Sequence, residues 1–466
     1  MSLSESEGIR IHRALILSSS LNFSPRNLRT LPSIYMTSPY NSIHNLIERK
    51  RLCSERSEIM GTTSFFVSLL LSTFLLHLCL SHGVAATGIS NRKATPAARG
   101  KISPRVLKFY PVIQEFKNRI TSDPTGILKT WNPKDKNVCN YKGFFCAPFP
   151  TDNLTTVAGV DFNGFGFAGE NGKLTLSGFI EKLTDITTFH ANSNNFTDIP
   201  WQISTIPYFF ELDLSNNKLS GQFPTQVFGA KQLTFLDLRY NSLNGAVPPQ
   251  VFLLDVDVIF INDNNFEQKL PDNLGSMSAL YATFANNKFT GEIPRSIGRS
   301  KNLLEVLLLN NKLTGCLPFE IGYLQNATVF DASFNYLTGP IPQSFQCLFS
   351  IEVLNLARNT FYGSVPDAIC KQPNLQSLDL SNNYFTEVGP ECRKLIAKKV
   401  VNTSNNCIKD LPNQRTKAEC AAFFSKPHKC ANEKFLTHIP CNPAHRPANI
   451  EPSATLVSYG ALKPHK

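Results

Sequence analysis

The sequence predicts an α/β-type solenoid of about ten coils of 23–24 residues, with a parallel concave β-sheet and disulfide-bonded caps. Two observations carry that expectation. An Asn recurs at Asn194, Asn217, Asn241, Asn264, Asn287, Asn311, Asn335, Asn359 and Asn383, each 23 or 24 residues after the last. The same frame returns around it: apolar residues three and five positions before, as Leu214 and Leu212, and Leu or Phe two positions after, as Leu219 and Phe289. Most coils then reach a Gly and an apolar–Pro pair, such as Val247-Pro248 or Ile341-Pro342. A divergent first coil, 157–169, has Phe165 where the Asn would stand.

Each part of the frame has a physical task. The apolar-x-apolar segment is a short strand whose inward side chains stack on the coils above and below. The recurrent Asn can bond backbone groups inside the coil that would otherwise lack partners. The apolar–Pro segment makes the opposite side extended and irregular, because Pro fixes φ and brings no donor. No coil buries its own apolar face, so both ends require caps.

Outside the repeats the chain divides by composition. Residues 65–80, "FFVSLLLSTFLLHLCL", contain no Lys, Arg, Asp or Glu and lead to the small residues near Ala86. This reads as a signal peptide over 60–86; a signal-anchor helix is the rival, but a span needs about 20 apolar residues. Met60 is a natural start, which leaves 1–59 as an upstream extension whose five Glu argue against a transit peptide. The mature divisions are then an N-terminal cap (87–156), the repeats (157–391), a Cys-rich C-terminal cap (392–441) and a tail (442–466).

Setting aside Cys53 and Cys79 leaves ten cysteines: Cys139, Cys146, Cys316, Cys347, Cys370, Cys392, Cys407, Cys420, Cys430 and Cys441. An even number in an exported chain implies disulfides, and the spacings match no zinc site, so neither metal nor cofactor is expected. Cys139 and Cys146 are close enough for a local bond. Cys347 and Cys370 fall at nearly equivalent places in consecutive coils and could pair with each other. Sequons at Asn153, Asn195, Asn326 and Asn402 fit a secreted glycoprotein.

The 23–24-residue form with "LSGxxP" resembles the plant-type extracellular leucine-rich repeat. The segments "NVCNYKGFFCAP", "TFHANSNNF", "FELDLSNNKLSGQFP", "IFINDNNF" and "VFDASFNYLTGPIP" resemble the repeat domain of the leucine-rich repeat extensins, from about Val106 to Cys441. After Cys441 there are no Ser-Pro runs, so the likeness covers the repeat domain without an extensin tail. The resemblance implies a secreted protein of the cell wall or apoplast. It also implies binding of small basic cysteine-containing peptides of the rapid alkalinization factor type.

Between the inward strand residues one side chain per coil points outward. That column includes Asp161, His190, Asp213, Asp237, Phe260, Leu307 and Asp331; the next includes Arg239, Asn262 and Leu309, with Tyr240 and Tyr281 nearby. The carboxylates would attract a cationic partner, and Phe260, Tyr281, Leu307 and Leu309 would supply an apolar anchor. The bland alternative is that Asp in "LDLS" serves only the repeat, and that a second copy covers the leucines as a homodimer.

Charge is unevenly placed: residues 87–391 carry 25 Lys and Arg against 26 Asp and Glu, whereas 392–466 carry 13 against 4. The basic cap, with Arg393, Lys394, Lys398, Lys399, Lys426 and Lys429, suits an extracellular polyanion such as de-esterified pectin better than nucleic acid. No catalytic motif stands out, so an enzyme is not expected. The leading function is a peptide-binding module; the alternative is an inhibitor of wall-degrading enzymes such as polygalacturonase.

Overall fold

The computed structural model describes residues 101–430 and 433–441. The expected leader, the upstream extension and the tail from 442 lie outside these residues. What is described is a solenoid with one parallel strand per coil on its concave side. In order these are Thr155–Asp161, Thr188–His190, Glu211–Asp213, Phe235–Asp237, Val258–Phe260, Tyr281–Thr283, Glu305–Leu307, Val329–Asp331, Val353–Asn355, Ser377–Asp379 and Val401–Asn402. One antiparallel strand, Phe144–Pro148, closes the N-terminal edge of this sheet. A second sheet of eight parallel strands, from Ser220–Gly221 to Tyr384–Val388, follows the recurrent Asn in successive coils.

The Asn works as its position suggests. Asn287 accepts from the Phe266 N–H and donates to the carbonyls of Ile261, Phe284 and Ala285, all at 3.0–3.2 Å. The residue just before it adopts a left-handed φ in ten coils, from Ser193 to Asn405. Asn and Asp tolerate that conformation best, and their side chains link along the rim. Asn286 donates to Asp263, Asn310 to Asn286, and Asn405 to Asn382.

On the opposite side the Pro does more than leave the backbone irregular. Pro200, Pro224, Pro248, Pro294, Pro318, Pro342 and Pro366 each cap a five-residue 3₁₀ turn, where a missing N–H costs nothing.

The coils continue one step past the count made from the sequence. Asn406 accepts from Phe385 N–H and donates to the Leu380 and Thr403 carbonyls, so the segment around Val401 is an eleventh coil. It lacks the apolar-x-apolar Leu pair, with Val401 and Thr403 in those places.

Both caps are built on helices. Helix α1, Pro104–Arg119, turns Val106, Phe109, Ile113 and Phe116 onto the first coils, and Phe116 stacks on Phe179. The Cys139–Cys146 disulfide closes the loop beside it. At the other end, α2 (Pro390–Ala397) is tied to the ninth coil's 3₁₀ turn by Cys370–Cys392. The Cys347–Cys370 pairing considered from sequence therefore does not form. Cys347 bonds Cys441 instead, because the chain after the last coil doubles back.

That return segment passes through Cys407–Cys420 and α3 (Lys417–Phe424), whose Phe423 lies flat on Tyr384 with 3.7 Å between ring centres. It then reaches Cys316 through Cys430, and Phe435 stacks on Phe319. The C-terminal cap is thus a strap that runs along the solenoid rather than only across its end. Gly339 makes room for it: its φ is +88°, and a Cβ there would collide with the sulfurs of both Cys430 and Cys316.

Candidate functional site

Strand register lines up the concave face into columns. Asp213 pairs with His190 and Asp237, Asp237 with Phe260, Phe260 with Thr283, and Thr283 with Leu307, then Asp331. A further outward column stands two residues earlier: Glu211, Phe235, Val258, Tyr281, Glu305, Val329 and Val353. Of these, Tyr281 is among the candidates named above, and Glu211 reads from the sequence as an outward neighbour of Asp213. The period of two along a strand would have pointed to the rest.

The aspartates have a local duty. One carboxylate oxygen accepts from the backbone N–H two residues on: Asp161 from Asn163, Asp213 from Ser215, Asp237 from Arg239, Asp331 from Ser333 and Asp379 from Ser381. Asn355 does the same for Ala357. This bond turns each strand out of the sheet, and it explains why Asp or Asn keeps returning at the position. The second oxygens of Asp213 and Asp331 accept from Asn192 and Asn355 in neighbouring coils. Asp213, Asp237 and Asp331 are buried, as are Arg239, Asn262, Phe260 and Tyr281. Asp161, His190, Glu211 and Tyr240 are half-buried.

Leu307, expected to be exposed, is buried as well. Its neighbours in register are Thr283 and Asp331, but its side chain packs with Ala285, Val329 and Val353, with half-buried Leu309 beside them. Val258, Phe260 and Tyr281 form a second apolar cluster, flanked by Phe235, Leu280 and Leu304. The face therefore changes character along the solenoid, from charged in the first coils to apolar in the middle.

The charged end is coupled. His190 Nε2 lies 2.8 Å from Glu211 Oε2. Burial opposes protonation of this imidazole, but the Glu211 bond and the carboxylates of Glu211, Asp213 and Asp161 prevail and raise its pKa above the ordinary value. Burial pushes the Asp237 carboxyl up to about 7; Arg239 pulls the other way and Asp213 adds to the rise. Burial likewise raises Asp263, and with the Asp263 charge it raises Tyr240. The Arg239 guanidinium sits 5.0 Å over the Phe260 ring, joining the charged part to the apolar part. Among the described residues no group of three or more His, Cys, Asp or Glu is arranged to hold a metal ion.

The other predicted positions are dispersed. Asn153, Asn326 and Asn402 are exposed and Asn195 half-buried, with Asn195 and Asn326 donating to the Gly172 and Lys301 carbonyls. Arg393 and Lys394 project from α2, with Lys398 and Lys399 just after it and Lys426 and Lys429 on the strap. All six are exposed, and Lys394 is paired with Glu391. No helix among the described residues is long and apolar enough to cross a membrane.

Known proteins share this arrangement. Residues 112–147 match the leucine rich repeat N-terminal domain, and 209–229 and 374–395 match the leucine rich repeat. Leucine-rich repeat extensin-like protein 2 of Arabidopsis thaliana is 40% identical over 245 residues, which are 52% of this chain and 30% of that protein. Extensin-like protein 4 of the same plant is 42% identical over 44% of this chain and 40% of its own length. The chain thus spans less than half the length of these relatives. The solved structure of a plant ice-binding protein has the same fold, with 20% identity and a TM-score of 0.52, covering 67% of this chain and 98% of that one. The chain carries leucine-rich repeats, and its repeat region is similar to that of the plant leucine-rich repeat extensin-like proteins.

Proposed function

We propose that this chain is a secreted binding protein of the cell wall or apoplast. Its concave face takes a small basic cysteine-containing peptide, of the rapid alkalinization factor type, in growth signalling. The observation that carries the reading is the order of chemistry along that face. Asp161, Glu211, Asp213 and Asp237 gather around His190 and Arg239 in the first coils, directly followed by the cluster of Val258, Phe260 and Tyr281. A carboxylate field steers a cationic ligand, and the half-buried Phe235, Leu280 and Leu304 that flank this cluster supply the apolar contact that holds it. Ten disulfide-bonded cysteines support an oxidising compartment. The exposed lysines of α2 and the strap would draw polyanionic wall polymers by charge alone.

Calorimetric titration of the secreted chain with basic cysteine-rich peptides tests this. Saturable binding is expected, weakened about tenfold by Glu211→Gln with Asp161→Asn and weakened by salt. Inhibition of polygalacturonase without saturable binding of any such peptide would overturn the reading in favour of the inhibitor. Analytical ultracentrifugation with and without peptide tells whether a homodimer covers the face around half-buried Leu309 instead.

A further inference from the structure

On the rim beside the concave face, the row of left-handed residues is mostly Asn or Asp; Ser193 and Tyr240 depart from it singly, and at one place two adjacent coils depart from it together. Phe334 has φ 54° and Arg358 φ 55°, where the flanking coils carry Asn310 and Asn382. The backbone duty is unchanged, since Phe334 N–H donates to Ala357 and Arg358 N–H to Ser381 as Asn310 N–H donates to Ser333. Only the side chains differ. A bulky residue in this conformation is strained, and replacing the amide also interrupts the side-chain ladder of the rim. The strain is not offset by burial: Phe334 is 48% exposed and Tyr336, two residues on, is 63% exposed. The Arg358 guanidinium lies 4.9 Å over the Phe334 ring. Among the described residues no carboxylate pairs with it.

We propose that Phe334, Tyr336 and Arg358 form a platform for an acidic polysaccharide chain lying along the rim. Exposed ring faces carry negative charge density that suits the slightly positive C–H face of a pyranose. A guanidinium without an acid of its own takes a uronate carboxylate bidentately. Three side chains are too small an area for a stable protein interface, yet ample for a saccharide unit. The rim continues the site on both sides: Asn310 and Asn382 present amides in the neighbouring coils. Coils repeat at about 4.8 Å, roughly one hexopyranose per coil. The platform is separate from the concave face and does not depend on what binds there.

The test is titration of the secreted chain with de-esterified galacturonan oligomers, cellohexaose and poly-L-glutamate, using wild type, Arg358→Gln, Tyr336→Ser and Phe334→Asn. Phe334→Asn restores the residue type of the neighbouring coils, so its melting temperature should rise by about 2 °C. Galacturonan affinity should fall at least about tenfold in Arg358→Gln and in Phe334→Asn, and fall in Tyr336→Ser, with cellohexaose binding much weaker throughout. Galacturonan that fails to bind wild type, or binds all variants equally, overturns the proposal; the second result assigns the polymer to the C-terminal lysines. Poly-L-glutamate bound as tightly and lost with Arg358→Gln overturns it in favour of an acidic protein partner. Equal binding of cellohexaose overturns the acidic specificity.

Discussion

Arg239 Nε lies 2.9 Å from Asp237 Oδ2, two residues past the strand that Asp237 ends, with both side chains buried. The same carboxylate holds the Arg239 N–H. Burial nevertheless dominates and lifts the acid to about 7. A folded-state pKa above the unfolded one means that folding favours the protonated acid. The contribution is fully present below about pH 4 and is lost as pH rises through 7. Melting temperature should therefore fall between about pH 4 and pH 7, and Asp237→Asn should flatten that fall while keeping the oxygen that accepts from Arg239 N–H. An unchanged slope in the variant would sink the argument.

Asn287 makes four bonds to backbone groups of two coils from a buried position. Asn287→Ala should lower the unfolding free energy by about 3 kcal/mol, since several buried backbone groups lose their partner at once. Chemical denaturation measures it. A loss below about 1 kcal/mol would mean that water replaces the amide.

The period, the Asn and the concave sheet were legible in the sequence because each repeats and each answers a local need. Asn406 was missed for the complementary reason: its coil keeps the Asn but not the Leu pair that announces the others. The strap was illegible because its cysteines pair across 94 and 114 residues, a matter of the path the chain takes rather than of any local pattern. On the concave face, sequence identified outward positions but could not tell a solvated Asp from one bonded to its own strand, as Asp213 is to Ser215.

The strap itself is testable. Removing Cys316–Cys430 by Cys430→Ser opens a loop of 114 residues and should cost about 3–5 kcal/mol. Limited proteolysis should then cut between Cys420 and Cys441 while the coils stay intact. Gly339→Ala should mimic it, because a Cβ at that left-handed position collides with Cys430. Thiol titration should detect free cysteine in the folded Gly339→Ala protein. Full oxidation with unchanged melting would show that the strap has room to shift.

His190 offers a direct reading of the charged end. Its imidazole is only 14% exposed, and its pKa is raised because Glu211 and the nearby aspartates outweigh burial. The stability this pair contributes is present below about pH 6.5 and fades as pH rises through the folded pKa. Nuclear magnetic resonance titration should find His190 above the usual histidine value in wild type. Glu211→Gln should bring it down, since removing the charge leaves burial unopposed by its main partner. If the bound peptide is cationic, it should lower the same pKa by competing for the carboxylates, and a neutral peptide of equal size should not. A His190 titration indifferent to both Glu211→Gln and the ligand would separate this histidine from the binding surface.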